Sequence, residues 1–208
     1  MNESQPVIPN TPIKEGRVSF NGFSTWYQVT GSPQSDGIPV ILLHGGPGYP
    51  SFSMEPMEVL AKSNRAVVRY DQIGCGKSSL KEIPHDSSMF VIDLFVRELE
   101  ALIAELELEE YVLLGHSWGG MLAIEFALTQ PAGLKGLILY STLASIVEWR
   151  VATEKLVTTL PEEIQATIRR SRITNDTESP EFKVAEHEFN RRFVCRLDPL
   201  PDCVQLAE

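Results

Sequence analysis

The sequence predicts an α/β fold with a mostly parallel sheet and flanking helices. Three observations carry that reading. Short apolar runs recur as IPVILL at 38–43, RAVVRY at 65–70, YVLL at 111–114 and LKGLILY at 134–140. Runs of this length and composition suit strands buried on both faces. Segments with helical spacing lie between them, so strand and helix alternate as in βαβ units. Finally, YVLL leads directly into Gly115-His116-Ser117-Trp118-Gly119 and then a helical segment, a strand–turn–helix junction.

Taken in order, residues 1–15 hold three prolines among polar residues and predict an extended arm. Gly16–Phe20 and Ser24–Thr30 read as two strands. Asn21-Gly22 between them is a hairpin turn signal, because both residues tolerate positive φ. The polar loop GSPQSDG leads to the strand at 38–43. MEPMEVLAK at 54–62 reads as a short helix, followed by the strand at 65–70. From Ser88 to Leu108 the apolar residues Val91, Leu94, Phe95, Leu99, Leu102, Ile103 and Leu106 recur at helical spacing. Tyr111–Leu114 is a strand, Trp118–Thr129 a helix stopped near Pro131, and Leu134–Tyr140 a strand. After about residue 145 the pattern changes. Residues 146–171 and 180–195 read as amphipathic helices with no strand between them. The organisation expected is an arm at 1–15, an α/β core at 16–145 and a helical part at 146–208.

Composition narrows the partners. The 208 residues are 43% apolar and 22% charged, with a formal net charge of −10. A negative field argues against nucleic acid or anionic lipid, both of which need a basic patch. It is compatible with a cationic substrate such as a peptide with a free amino terminus. No apolar run approaches the roughly 18–20 residues needed to span a bilayer, and MNESQPVIPNTPIKEG has no signal-peptide pattern. Cys75, Cys195 and Cys203 are too few, and odd in number, for a disulfide framework. A cytoplasmic location is expected.

The chemistry concentrates in three segments. Residues 115–119 fit G-x-S-x-G, in which the serine sits on a strained strand-to-helix turn that projects its hydroxyl. Ser117 is therefore the expected nucleophile. The following helix points its positive end at a developing oxyanion. Adjacent side chains diverge on so sharp a turn, so His116 is expected to pack beneath it rather than act as base. The second segment is His44-Gly45-Gly46-Pro47-Gly48, directly after a strand. Acyl transfer needs two backbone N–H groups aimed at the oxyanion. Trp118, after the nucleophile, and Gly46, in the glycine loop, are the expected donors. The third is Asp71-Gln72-Ile73-Gly74-Cys75-Gly76-Lys77-Ser78. A phosphate-binding loop would need glycine at position 71, and the residue there is Asp71. The segment reads as a structural turn in which Asp71 and Gln72 support the oxyanion loop and Cys75 is an inert small residue.

HGGPG at 44–48, DQIGCGKS at 71–78 and GHSWGGMLA at 115–123, in this order and spacing, resemble the proline iminopeptidase family of the α/β-hydrolase fold. RRFVCRLDPLPD at 191–202 is similar to the helical cap of some members. The resemblance covers roughly residues 16–208. It implies a serine hydrolase that releases an N-terminal residue, often proline, from a small peptide or aminoacyl amide. Ser117 would be nucleophile, Gly46 and Trp118 the oxyanion donors, with His44, Gly45, Pro47, Gly48, Asp71 and Gln72 in supporting loops. The helical part would be a cap shaping the pocket. No metal and no organic cofactor are implied.

One part of the pattern is missing. The fold's chain order is Ser, then Asp or Glu, then His. Beyond Ser117 the one histidine is His187, with Asp176 before it, and both lie in polar stretches away from any strand end. The family places its acid and base after two further strands. The chain is therefore expected to be C-terminally truncated, with an incomplete sheet, a partial cap, an open apolar edge at Leu134–Tyr140 and little activity of its own. The alternatives are a non-catalytic chain that binds a partner across that edge, or an esterase on the same fold.

Overall fold

The computed structural model describes residues 13–32, 35–80 and 87–205, which divide into a core unit ending at Ala144 and a helical unit, Ser145–Gln205. The core begins with a hairpin. Strands β1 (Ile13–Phe20) and β2 (Phe23–Thr30) pair antiparallel across their whole length. Asn21 at φ 48° and Gly22 at φ 82° make the two-residue turn that matches the strands' twist. The pairing runs out to Ile13 opposite Thr30, so residues 13–15 belong to β1 and not to an arm. The rest of the arm expected at 1–15, residues 1–12, lies outside the described residues.

Strands β3 (Gly37–Leu43), β4 (Arg65–Tyr70), β5 (Tyr111–His116) and β6 (Leu134–Tyr140) complete a six-stranded sheet in the order β1-β2-β4-β3-β5-β6. The pairs β3–β4, β3–β5 and β5–β6 are parallel, and β2 joins β4 antiparallel. Alternation along β3 builds two apolar layers. Ile41 and Leu43 point to one face, where they meet Leu99 and Leu102 of α1 (Ile92–Glu105) and Leu122 and Phe126 of α2 (Trp118–Leu128). Val40 and Leu42 point to the other, against Met54, Met57 and Leu60. The sheet is thus covered on both faces at β3, as that strand's continuous apolar run requires.

Several boundaries differ from expectation for local reasons. The segment expected as a helix at 54–62 winds as 3-10 turns over Ser51–Ser63, with Pro56, which has no N–H to give an i→i−4 bond, in its middle. The helix expected from Ser88 starts at Ile92, because Val91 is extended, and it ends at Glu105, before Glu107 turns the chain at φ 52°. In the helical unit, residues 146–171 form two helices, α3 (Ile146–Val157) and α4 (Glu162–Thr174). Pro161 is extended between them and disfavours a continuous helix. Helices α5 (Pro180–Phe193) and α6 (Asp202–Gln205) follow. This unit has its own small core of Val157, Leu160, Ile168 and Ala185, with Phe189 and Phe193 packed against it.

Candidate active site

The site is built where β3 and β5 end side by side. Ser117 follows β5 at φ 50° and ψ −119°, left-handed backbone that a residue with a Cβ adopts at a cost. The turn is held by Thr142, whose hydroxyl donates to the Ser117 carbonyl at 2.6 Å, and by Gly120 N–H, which donates to the same oxygen at 2.9 Å. Close packing explains part of the motif. A Cβ on Gly119 would lie 2.0 Å from the Leu43 carbonyl oxygen, so α2 can sit against the end of β3 only with glycine there. Ser117 is half-buried, and its hydroxyl makes no hydrogen bond among the described residues.

The glycine loop lies against this turn. A Cβ placed on Gly45 would be 3.4 Å from the Ser117 Cβ. Gly46 has φ 122°, which strains any other residue. The structure therefore brings Ser117, Trp118 and the 44–48 loop together. The amides of Gly46 and Trp118 donate to no group among the described residues.

The loop is pinned at both ends by consecutive residues, Asp71 and Gln72. At its start, His44 is fully buried. The Gln72 backbone N–H donates to His44 Nε2 at 2.9 Å, so the ring proton sits on Nδ1 and donates to the Gly45 carbonyl at 2.9 Å. Burial pushes the His44 pKa down to about 4, which keeps the ring neutral. At the loop's end, Ser51 N–H donates to Asp71 Oδ1 at 2.8 Å, while Lys77 N–H donates to Asp71 Oδ2 at 2.8 Å. Ser51 also accepts from Arg69 at 3.2 Å. Arg69 in turn pairs with buried Glu58 at 2.6 Å. Pro47 and Gly48 are exposed at the loop's tip.

His116 stacks on Tyr140 with ring centroids 4.6 Å apart, and its buried Nδ1 has no partner among the described residues. It forms no bond with Ser117, and burial lowers its pKa. Cys75 is buried, its thiol donates to the Gln72 carbonyl at 3.0 Å, and burial pushes its pKa well up, which leaves it an unreactive thiol. In the helical unit Asp176 accepts the backbone N–H groups of Glu178 at 3.2 Å and Ser179 at 3.1 Å. His187 is exposed on α5 and makes no bond to Asp176, so the two do not form an acid–base pair of the triad kind.

Two features escaped the sequence reading. Gln72 also bonds through its side chain: Nε2 donates to the His44 carbonyl at 3.1 Å, and Oε1 accepts from Trp118 Nε1 at 2.9 Å. Glu98 of α1, fully buried, accepts the Ile73 N–H at 2.9 Å and a short hydrogen bond from Thr25. Glu98 stands among apolar residues in the helical pattern at 88–108, and that position was its only signal.

Fold and site define an α/β-hydrolase scaffold with a serine at its elbow. Residues 38–205 match the family described as alpha/beta hydrolase fold, and the chain belongs to it. A proline iminopeptidase of Lactobacillus helveticus is 40% identical over 196 residues, covering 92% of this chain and 65% of the relative. One from Heyndrickxia coagulans is 39% identical over 193 residues, covering 93% and 63%. Among solved structures, the proline iminopeptidase of Mycobacterium smegmatis matches with TM-score 0.83 and 36% identity, over 93% of this chain and 66% of that one. VinJ matches with TM-score 0.89 and 37% identity over the same shares. The chain thus spans about 65% of the length of the Lactobacillus relative. Among the described residues no helix is long and apolar enough to cross a membrane.

Proposed function

We propose that this chain carries the nucleophile and oxyanion hole of a serine aminopeptidase that releases proline, or another small apolar residue, from the N-terminus of a peptide or aminoacyl amide. The carrying observation is Ser117 at φ 50°, with the Trp118 amide beside it and the glycine loop against it. The names of the relatives at 36–40% identity support the choice of substrate. In this reading Ser117 Oγ attacks the carbonyl carbon of the first residue. The C–O bond forms while the carbonyl oxygen takes negative charge, held by the Gly46 and Trp118 N–H groups. The C–N bond then breaks and the serine proton leaves on the amine. Water attacks the resulting ester and frees the amino acid.

The proton transfers need a base, and no imidazole is bonded to Ser117 among the described residues. Turnover by this chain alone is therefore expected near the ~10³–10⁴ over water that a related triad enzyme retains without its base. A cytoplasmic setting belongs to the same reading, and cysteines not joined by disulfides fit it. A second reading is favoured by β6, where Leu137, Ile138 and Leu139 are exposed along the sheet's edge: the chain works only with a partner strand against it. Hydrolysis of proline and alanine aryl amides and of an aryl ester by the 208-residue chain, against Ser117→Ala, tests the proposal. Serine-dependent amide turnover supports it. Serine-dependent turnover of the ester alone points to an esterase. Equal rates in both proteins are the residue left by an oxyanion hole without its base, so the Ser117 assignment is read from acylation: a mass increase at Ser117 with an activated aryl ester supports it, and an unmodified Ser117 removes it.

A further inference from the structure

We propose that Gln72 is a positioning residue that sets the spacing between the two oxyanion donors by clamping the glycine loop to Trp118. This rests on the serine-hydrolase reading of the same site. Gln72 is buried, with 1% exposure, and makes three hydrogen bonds to the two segments that supply the donors. Its backbone N–H holds His44 Nε2 at 2.9 Å and its side-chain Nε2 holds the His44 carbonyl at 3.1 Å. Its Oε1 holds the Trp118 indole N–H at 2.9 Å. His44 is two residues before Gly46, and Trp118 carries the other donor on its own backbone.

The chemistry selects an amide. The His44 carbonyl needs a donor and the Trp118 indole needs an acceptor, and one planar group supplies both. Glutamate keeps the acceptor and, when ionised, turns an oxygen toward the carbonyl. Methionine offers neither bond. The indole also meets Phe95, edge-on with centroids 5.5 Å apart, so Trp118 is held by both Phe95 and Gln72. Ile73, the next residue, is held by Glu98, which fixes the base of the clamp. A clamp of this kind matters because small misplacements at a reacting centre cost large factors in rate.

The test is NMR and ester kinetics on the full 208-residue chain carrying Gln72→Met or Gln72→Glu. The Trp118 indole resonance is assigned by loss in Trp118→Phe. In the wild type the indole signal and the Gly45, Gly46 and Trp118 amides are expected to be sharp. Gln72→Met shifts the indole signal and brings millisecond exchange broadening to those three amides. Gln72→Glu behaves like wild type at acid pH, where its carboxyl is protonated and donates to the His44 carbonyl. It loosens at alkaline pH beyond the change that Gln72→Met shows, since the Glu98 and His44 titrations beside the clamp are common to both variants. With an aryl acetate, kcat falls about tenfold or more in Gln72→Met while KM stays within about twofold. Sharp, unshifted Gly45, Gly46 and Trp118 amides in Gln72→Met overturn the clamp, and so does a Gln72→Glu chain whose pH response equals that of Gln72→Met. These spectra decide the clamp without turnover. Absence of Ser117-dependent ester hydrolysis in the wild type would count against the hydrolase reading alone.

Discussion

Glu98 on α1 accepts the backbone N–H of Ile73 at 2.9 Å, and it does so from a position with 0% exposure. One carboxyl oxygen has no partner among the described residues, and the Tyr70 hydroxyl is likewise buried without one. Burial raises the Glu98 pKa to about 7, against the favourable bonds from Thr25 and Ile73. Tyr70 and Cys75 are the neighbouring titratable groups, and both are pushed up by burial and by the Glu98 charge.

The unfolded chain releases the Glu98 proton near pH 4.5 and the folded chain holds it to about 7. Stability is therefore highest below pH 4.5 as far as this group is concerned, and falls as pH rises through 7. Glutamine keeps the acceptor for Ile73 and Thr25 and removes the ionisation. Glu98→Gln is expected to match wild type at about pH 5 and to be more stable at about pH 8 by a few kcal/mol. Urea melts at the two pH values check it, and equal differences at both would refute the assignment.

His44 works in the opposite direction. Its folded pKa, about 4, lies below the ordinary 6.5, so the unfolded chain binds a proton first as pH falls. Stability is lost between pH 6.5 and 4. In that window the His44 slope opposes the Glu98 slope, so wild-type stability is flatter than either group alone would make it. Glu98→Gln, with one of the two removed, is expected to lose stability more steeply on acidification than wild type does. A ¹³Cε1 titration of His44 staying at the neutral shift down to about pH 4 is the direct check. An ordinary midpoint near 6.5 would contradict the buried, doubly bonded ring.

The serine turn, the glycine loop and the sheet were legible in the sequence because each depends on local signals. Apolar runs mark the strands, and Gly115 and Gly119 mark a turn packed too closely for a side chain at those two positions. The bonds of Gln72 were not legible, since they join residues 44, 72 and 118 and no local pattern records such a contact. Glu98 was hidden for a related reason: its residue type suits a solvated helix face, and only its bonds to Thr25 of β2 and to the 71–78 turn show that it is inside. The break between α3 and α4 was readable at Pro161, but the apolar periodicity on either side obscured it.

Gly119 is expected to tolerate no side chain. A Cβ there meets the Leu43 carbonyl oxygen at 2.0 Å and the His44 carbonyl oxygen at 2.6 Å, both backbone atoms that move only if β3 shifts against α2. Gly119→Ala is expected to cost about 3 kcal/mol or more, a drop of roughly 6–12 °C in Tm for a chain of this size. Calorimetry checks it. A change under about 2 °C would mean that the elbow and the end of β3 are not packed as described.

Asp71 is expected to matter through its charge as well as its shape. Its two oxygens each accept a backbone N–H, from Ser51 and Lys77, at 2.8 Å. An asparagine side chain has a single acceptor oxygen, so Asp71→Asn leaves one amide facing an NH₂ group. Hydrogen bonds to a charged group contribute about 1.5–3 kcal/mol, and the variant is expected to lose about that much. Amide exchange at Ser51 and Lys77 should show one of the two exposed, and full protection of both would contradict the bonding.

Strand β6 pairs with β5 on one side only, and Leu137, Ile138 and Leu139 are 38%, 46% and 42% exposed. An apolar edge with unpaired backbone groups invites a second strand, either from a partner or from another copy of the chain. The only charged residue of β6, Lys135, is drawn aside by Glu110 at 3.0 Å, so it guards the strand's start and not its centre. A second charge in the middle should therefore act strongly. Ile138→Lys is expected to lower self-association of the purified chain about tenfold or more in concentration dependence, by desolvation of the ammonium group at any new pairing. Because Ile138 is exposed, the monomer's melting temperature should change little. Sedimentation velocity over a concentration series measures the effect. A chain that is monomeric at all concentrations before the substitution would show that this edge is protected in solution.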